Sequence, residues 1–125
     1  MAKSKILIVD DDVNILLLYS DIFKNFEVEA DRVKPSLSIR DQVVNRATMA
    51  YDLIIMDCKL KERDGTVTYG QDLIRELRDK GFSGYIFANS SLMDNNEEMI
   101  KSGADYVVGK LDFLKRINKL LVLGK

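Results

Sequence analysis

The sequence predicts an α/β domain in which a five-stranded parallel sheet, in the doubly wound order 2-1-3-4-5, carries helices on both faces. Five short apolar or β-branched runs alternate with five stretches of helical period, the pattern of linked βαβ units. Each run is short and continuous enough to be buried on both sides, as parallel strands are. Polar and ionisable residues gather where the runs end, which in such sheets is where ligands bind. At 125 residues the chain fits one domain spanning 1–125, with no room for a second of ordinary size.

The strands are expected at 5–10, 26–30, 53–57, 85–89 and 106–109. The first helix carries Ile15, Leu18, Tyr19, Ile22 and Phe26 at spacings of three and four, which predicts a stripe facing the core. The second, 38–47, follows Pro35 and offers only the thin stripe Ile39, Val43 and Val44. The third is expected over 72–80, closed by Gly81. Asp94 with Glu97 resembles a capping box for the fourth, and Gly103 stands where that helix should end. The fifth is marked by Phe113, Leu114, Ile117, Leu120 and Leu121. Right-handed crossovers then give the doubly wound, flavodoxin-like (βα)5 arrangement.

Composition narrows the chemistry. An apolar fraction of 46% and a charged fraction of 31% are ordinary for a soluble fold, and no run approaches the length that spans a bilayer. The N-terminus lacks the long apolar stretch of a signal peptide, so the expected location is cytoplasmic, with no membrane partner. A net charge of −1 without a basic stripe argues against direct nucleic-acid binding. The single cysteine, Cys58, reads as a small buried hydrophobe in a reducing compartment. With no histidine, triads, imidazole metal sites and phosphohistidine carriers are excluded on this chain. What remains is chemistry by carboxylates, lysines and hydroxyls.

Those groups collect at the predicted strand ends. Asp10 and Asp11 follow the first strand, Asp57 the third, Asn89 and Ser90 the fourth, and Lys110 the fifth. Three carboxylates at one switch point repel one another unless a cation joins them, and hard oxygen ligands suit Mg²⁺. A carboxylate there can also attack phosphorus, with the metal and a lysine neutralising the phosphoryl oxygens. Asp12 is better read as the cap of the following helix.

The stretches ILIVDDD, DLIIMD with a following DG, and GADYVVGK resemble the receiver family of response regulators over the whole chain. The resemblance implies phosphorylation of Asp57 by a sensor histidine kinase or a phosphotransfer protein. Asp10 and Asp11 would be the acidic pair, Asp11 the direct Mg²⁺ ligand, and Lys59 would lend its backbone carbonyl to the ion. Lys110, seven residues beyond Gly103, would contact the phosphoryl group. No dedicated enzyme is implied, only self-phosphorylation from phosphodonors and autodephosphorylation. With no output domain expected after the fifth helix, the signal would reach a downstream protein through helix 4, strand 5 and helix 5.

Four features depart from the family pattern. Gly65, eight residues past Asp57, stands where the family opens its third helix, yet residues 66–69 intervene before Gly70 and lengthen the loop 61–70 by about a helical turn. The hydroxyl expected at the end of the fourth strand falls on Ser90 by chemistry, but near Ala88 or Asn89 by spacing. The family's switch aromatic aligns with Val107, and Tyr106 should face the other way. Leu111 replaces the proline after Lys110, so that peptide is expected to be trans, since a cis bond outside proline costs about 2.5–4 kcal/mol. Two other readings stay open. One is an Asp-nucleophile phosphohydrolase of haloacid dehalogenase type, with Asp10 as nucleophile and Asp12 as acid/base; the other is a receiver-like binding module without phosphorylation.

Overall fold

The computed structural model describes residues 4–47, 51–90, 96–110 and 112–113. The first strand, β1 (Ser4–Val9), gives way at Asp10, because the Asp10 carboxylate accepts the Asp12 N–H at 2.9 Å and turns the chain. Asp12 then caps α1 (Val13–Phe23), its side chain accepting the Asn14 N–H at 2.9 Å. Next come β2 (Val28–Arg32), α2 (Ile39–Ala47) and β3 (Leu53–Asp57). Two short strands, β4 (Lys59–Lys61) and β5 (Val67–Tyr69), lead into α3 (Gly70–Asp79). The chain continues through β6 (Tyr85–Ser90), α4 (Asn96–Ser102) and β7 (Tyr106–Gly109).

The main sheet has the order β2-β1-β3-β6-β7 with every pair parallel, which is the predicted 2-1-3-4-5 once the two inserted strands are numbered. From β1 the chain first crosses to one side and then steps repeatedly to the other. Right-handed crossovers therefore set α1 on one face and α2, α3 and α4 on the opposite one. Ile6, Leu7, Ile8, Val9, Ile54, Ile55, Met56, Ile86, Phe87 and Ala88 are all buried, so the central strands are apolar on both faces.

Four expectations are corrected. Strand β2 begins two residues later than expected, because Phe26 belongs to the turn closing α1, its N–H bonded to Phe23 O at 3.1 Å. The buried arc of α1 is Leu16, Tyr19 and Phe23, whereas Leu18 is half exposed. Apolar residues run almost without break from Ile15 to Tyr19, so periodicity alone could not orient this helix. The segment read as a long loop is an antiparallel hairpin with Lys59 opposite Tyr69 and Lys61 opposite Val67. Its turn is built by Asp64, whose carboxylate accepts the Thr66 N–H at 3.0 Å, and by Gly65 at φ 90. Gly70, not Gly65, therefore opens α3. The thin stripe of α2 is sufficient: Ile39 and Val43 are fully buried. Gly81 and Gly103 adopt positive φ at the ends of α3 and α4, as expected of helix-ending glycines. Asp94 and the stripe from Leu114 to Leu121 lie outside the described residues, and so does Leu111, with it the peptide after Lys110.

Gly70 is the tightest junction. Its N–H donates to Cys58 O at 2.8 Å, and a Cβ there would overlap the Asp57 carbonyl and press on Cys58 Cα and Met99 Cε, both at 3.1 Å. Gly70→Ala is therefore expected to lower stability by about 1–3 kcal/mol, the usual cost of overpacking. Urea unfolding of the variant checks this; an unchanged midpoint would mean that the junction is loose.

Candidate metal and phosphoryl site

Parallel register brings the site together. Val9 pairs with Met56, so Asp10 and Asp57 leave adjacent strands at the same level, while Asp57 pairs with Asn89 and Asn89 with Val108. Residues paired in this way share a face, so Asp10, Asp57 and Asn89 face the α1 side, and Lys110, two residues beyond Val108, returns to that face. Asp10 and Asp57 are buried at 1% and 7% exposure. One oxygen from each of Asp10, Asp11 and Asp57 lies within 4.8 Å of the other two. Lys110 Nζ stands 3.1 Å from Asp10 Oδ2 and 3.5 Å from Asp57 Oδ2. Asp57 Oδ1 accepts the Cys58 N–H at 2.9 Å, and Asp11 Oδ2 accepts the Lys61 N–H at 2.7 Å.

The charges are poorly compensated. Burial, reinforced by the Asp10 charge, pushes the Asp57 carboxyl from its ordinary 3.8 up to about 7 against the pull of Lys110. Burial also raises Asp10, although the Asp12 N–H and Lys110 oppose it. Lys110 loses hydration through burial, yet Asp57 and Asp10 more than compensate and hold its ammonium above the usual lysine value. Asp10 Oδ2 is buried and accepts no aligned hydrogen bond; its contact with Lys110 is an ion pair only. An under-coordinated buried oxygen beside two further carboxylates fits a hard divalent cation with waters completing its shell.

Of the residues predicted for the site, Asp10, Asp11, Asp57 and Lys110 converge. Lys59 opens β4 two residues past Asp57, its side chain exposed. Ser90 ends β6 opposite Gly109, and its side chain is outside what is described. Asn89 is committed elsewhere: its Oδ1 accepts the buried Tyr19 hydroxyl at 2.7 Å and its Nδ2 donates to Val108 O at 3.2 Å. Sequence reading missed this pair, because it treated Tyr19 only as core. The one available signal was a hydroxyl on a stripe otherwise free of polar groups. Tyr19 also stacks on Phe113, the ring centroids 4.1 Å apart. Tyr106 lies on the α1 side, edge-on to Phe87 at 5.0 Å and half exposed, and Val107 faces the other way with Ala88.

This arrangement, acidic residues and a lysine at the carboxyl edge of a 2-1-3-4-5 sheet, defines the class. Residues 6–120 match the response regulator receiver domain, and the chain belongs to that family of two-component signalling modules. Among solved structures it is similar to the signal receiver domain of a Luxo repressor protein from Vibrio parahaemolyticus, with 21% identity, TM-score 0.77, and coverage of 98% of this chain and 89% of that one. It is also similar to the receiver domain of a sensor histidine kinase from Pseudomonas aeruginosa, which holds a magnesium ion in its active-site cleft. The two share 22% identity at TM-score 0.77, over 96% of this chain and 95% of that one. A CheY-like receiver domain from Methylobacillus flagellatus gives 21% identity and TM-score 0.74, over 96% of this chain and 99% of that one. Compared by sequence with curated proteins, the chain has no significant match. No described helix is long and apolar enough to cross a membrane.

Two predictions follow from the electrostatics and hydrogen bonding. Because the folded state raises Asp57 from 3.8 to about 7, its contribution to stability is complete below the unfolded value and is lost as pH rises toward 7. In EDTA the unfolding free energy from urea titrations should fall between about pH 4 and about pH 7, by up to about 4 kcal/mol at ~1.4 kcal/mol per unit, and Asp57→Asn should remove most of that slope. A flat profile in the parent protein would contradict the burial argument. Tyr19→Phe leaves Asn89 Oδ1 buried without its donor, and thermal or urea unfolding should register a loss of about 1–3 kcal/mol.

Proposed function

We propose that this receiver accepts a phosphoryl group on Asp57 from a histidine kinase or phosphotransfer protein in a Mg²⁺-dependent reaction, and that the phosphorylated form engages a downstream protein through α4, β7 and the segment 113–121, which the sequence reads as a fifth helix. The observation that carries the reading is the meeting of Asp10, Asp11 and Asp57 within 4.8 Å, with the Lys110 ammonium beside two of them. Asp10, Asp11 and Asp57, with the Lys59 carbonyl, would hold the ion. When bound, it would supply positive charge that offsets the repulsion between carboxylates and an incoming phosphoryl dianion.

An oxygen of Asp57 attacks phosphorus, the bond to the donor's leaving group breaks, and an acyl phosphate forms on the carboxylate. The Cys58 N–H holds the other oxygen, and Lys110 exchanges a carboxylate contact for a phosphoryl one. Charge-assisted hydrogen bonds of this kind are worth about 1.5–3 kcal/mol. We assign the hydroxyl that follows the phosphoryl group to Ser90. The engagement of both ends of the Asn89 amide supports that choice over Asn89. We also place the protein in the cytoplasm.

The dehalogenase-type alternative finds little support. Asp10 is 1% exposed, and Asp12 is occupied in capping α1. Intact-mass measurement after incubation with acetyl phosphate should show one added phosphoryl group with Mg²⁺, none in EDTA and none in Asp57→Asn. Labelling of Asp57→Asn but not Asp10→Asn would establish the alternative. No labelling of any form, with Mg²⁺ bound, would establish the binding module. Ser90→Ala should leave labelling intact and reduce the change in partner affinity on phosphorylation.

A further inference from the structure

We propose that Glu62 is a positioning residue for the acidic site, acting through the β4–β5 hairpin on Asp11. The inference rests on the reading of that site as a Mg²⁺ site. Glu62 is a carboxylate 9% exposed on a surface hairpin, and every hydrogen bond that it accepts is accounted for. Its Oε1 accepts the Ile39 N–H at 2.8 Å, and its Oε2 accepts the Arg40 N–H at 3.1 Å and the Thr68 hydroxyl at 2.7 Å. The first two donors are amides at the start of α2, where a negative charge also meets the positive end of the helix dipole. The third comes from the opposite strand of the hairpin. One side chain thus ties both strands of the hairpin to a helix more than twenty residues away in sequence.

The geometry of the strand carries that anchor to Asp11. Side chains alternate along β4 and on into Glu62, whose N–H donates to Thr66 O at 2.8 Å, so Leu60 and Glu62 are buried, Leu60 at 0% exposure, while Lys61 between them is exposed. The Lys61 amide is therefore held between two inward anchors, one apolar and one ionic. That amide donates to Asp11 Oδ2 at 2.7 Å. Asp11 is less buried than Asp10 and Asp57 and has no ion-pair partner among the described residues, so this bond is what fixes its carboxylate. A single oxygen suffices as a metal ligand, and Lys61 holds the carboxylate by Oδ2. Residues that orient ligands in this way tune affinity: losing one typically weakens metal binding by about 10- to 100-fold.

Another link, between the hairpin tip and the turn before α2, does not reach Asp11. It is the bond from the Arg63 guanidinium to Ser36 O at 3.2 Å, between exposed groups, and it serves as the control.

The test is titration of the full chain with MgCl2, followed by amide NMR, together with hydrogen exchange at the Lys61 amide. Glu62→Ala should weaken Mg²⁺ binding by about tenfold and speed Lys61 exchange, Glu62→Gln should recover part of both, and Arg63→Ala should change neither. Should Glu62→Ala fail to fold, Thr68→Val removes only one of the three bonds and should give a smaller change in the same direction. If the parent chain binds no Mg²⁺, the reading of the site fails. If the parent binds but Glu62→Ala, or Thr68→Val in its place, leaves affinity and Lys61 exchange unchanged while lowering the urea midpoint, Glu62 is only a cap of α2 and the inference is overturned.

Discussion

Like charges held together by strand register are the constraint on which this molecule turns. Parallel pairing of β1 with β3 leaves Asp10 and Asp57 no choice of neighbour: once Val9 sits opposite Met56, the next two side chains emerge together at a buried edge. Ile6, Leu7, Ile8 and Val9 of β1 and Ile54, Ile55 and Met56 of β3 are buried on both faces of the sheet, so the electrostatic conflict sits at the end of two fully packed strands. The core thereby stabilises an arrangement that the carboxylates alone would not adopt. Lys110 relieves only part of the conflict, since one ammonium faces two carboxylates with a third close by. Uncompensated buried charge of this kind marks functional edges, because nothing in folding alone selects for it.

The second layer of organisation is polar and lies around that edge. Tyr19, Asn89 and Val108 O form a chain of two buried hydrogen bonds that joins α1 to β6 and β7. On the far side the hairpin connects β3 to α2 and α3. Gly70 allows α3 to begin directly against the Asp57–Cys58 peptide, so β3 touches helix backbone without an intervening side chain. Asp57 is thus set between two supports, one of hydrogen bonds and one of close backbone contact.

Much of this could be read from the sequence. The central strands β1, β3 and β6 follow from apolar runs, whereas the edge strand β2, VEADR, has no fully buried residue, against the expectation of burial on both faces; Asp10, Asp11, Asp57 and Lys110 follow from reading off the residues that end the strands. What could not be read depends on choices that periodicity does not make. In α1, consecutive leucines satisfy several helical faces equally, and only packing against Phe113 and the sheet selects Leu16, Tyr19 and Phe23. The hairpin was legible in principle, since Asp64–Gly65 lies between KLK and VTY, an Asp-Gly turn flanked by strand formers. The comparison with the family's spacing instead makes 61–70 a lengthened loop before a helix at 72–80, which leaves the turn chemistry of Asp64–Gly65 unused. The Glu62 contacts with α2 and the Tyr19–Asn89 bond span 23 and 70 residues and leave no local trace.

The hairpin has a thermodynamic consequence. Cation-binding edges are often built from loops that become ordered only when the ion arrives, and each residue so ordered costs about 1–2 kcal/mol of backbone entropy at that moment. Here residues 59–61 and 67–69 are paired to each other, and Glu62 ties them to a helix through contacts that are entirely protein to protein. The order of the chain on this side of the site therefore belongs to the fold itself. A cation held by Asp10, Asp11 and Asp57 would exchange water for oxygen ligands there at little conformational cost.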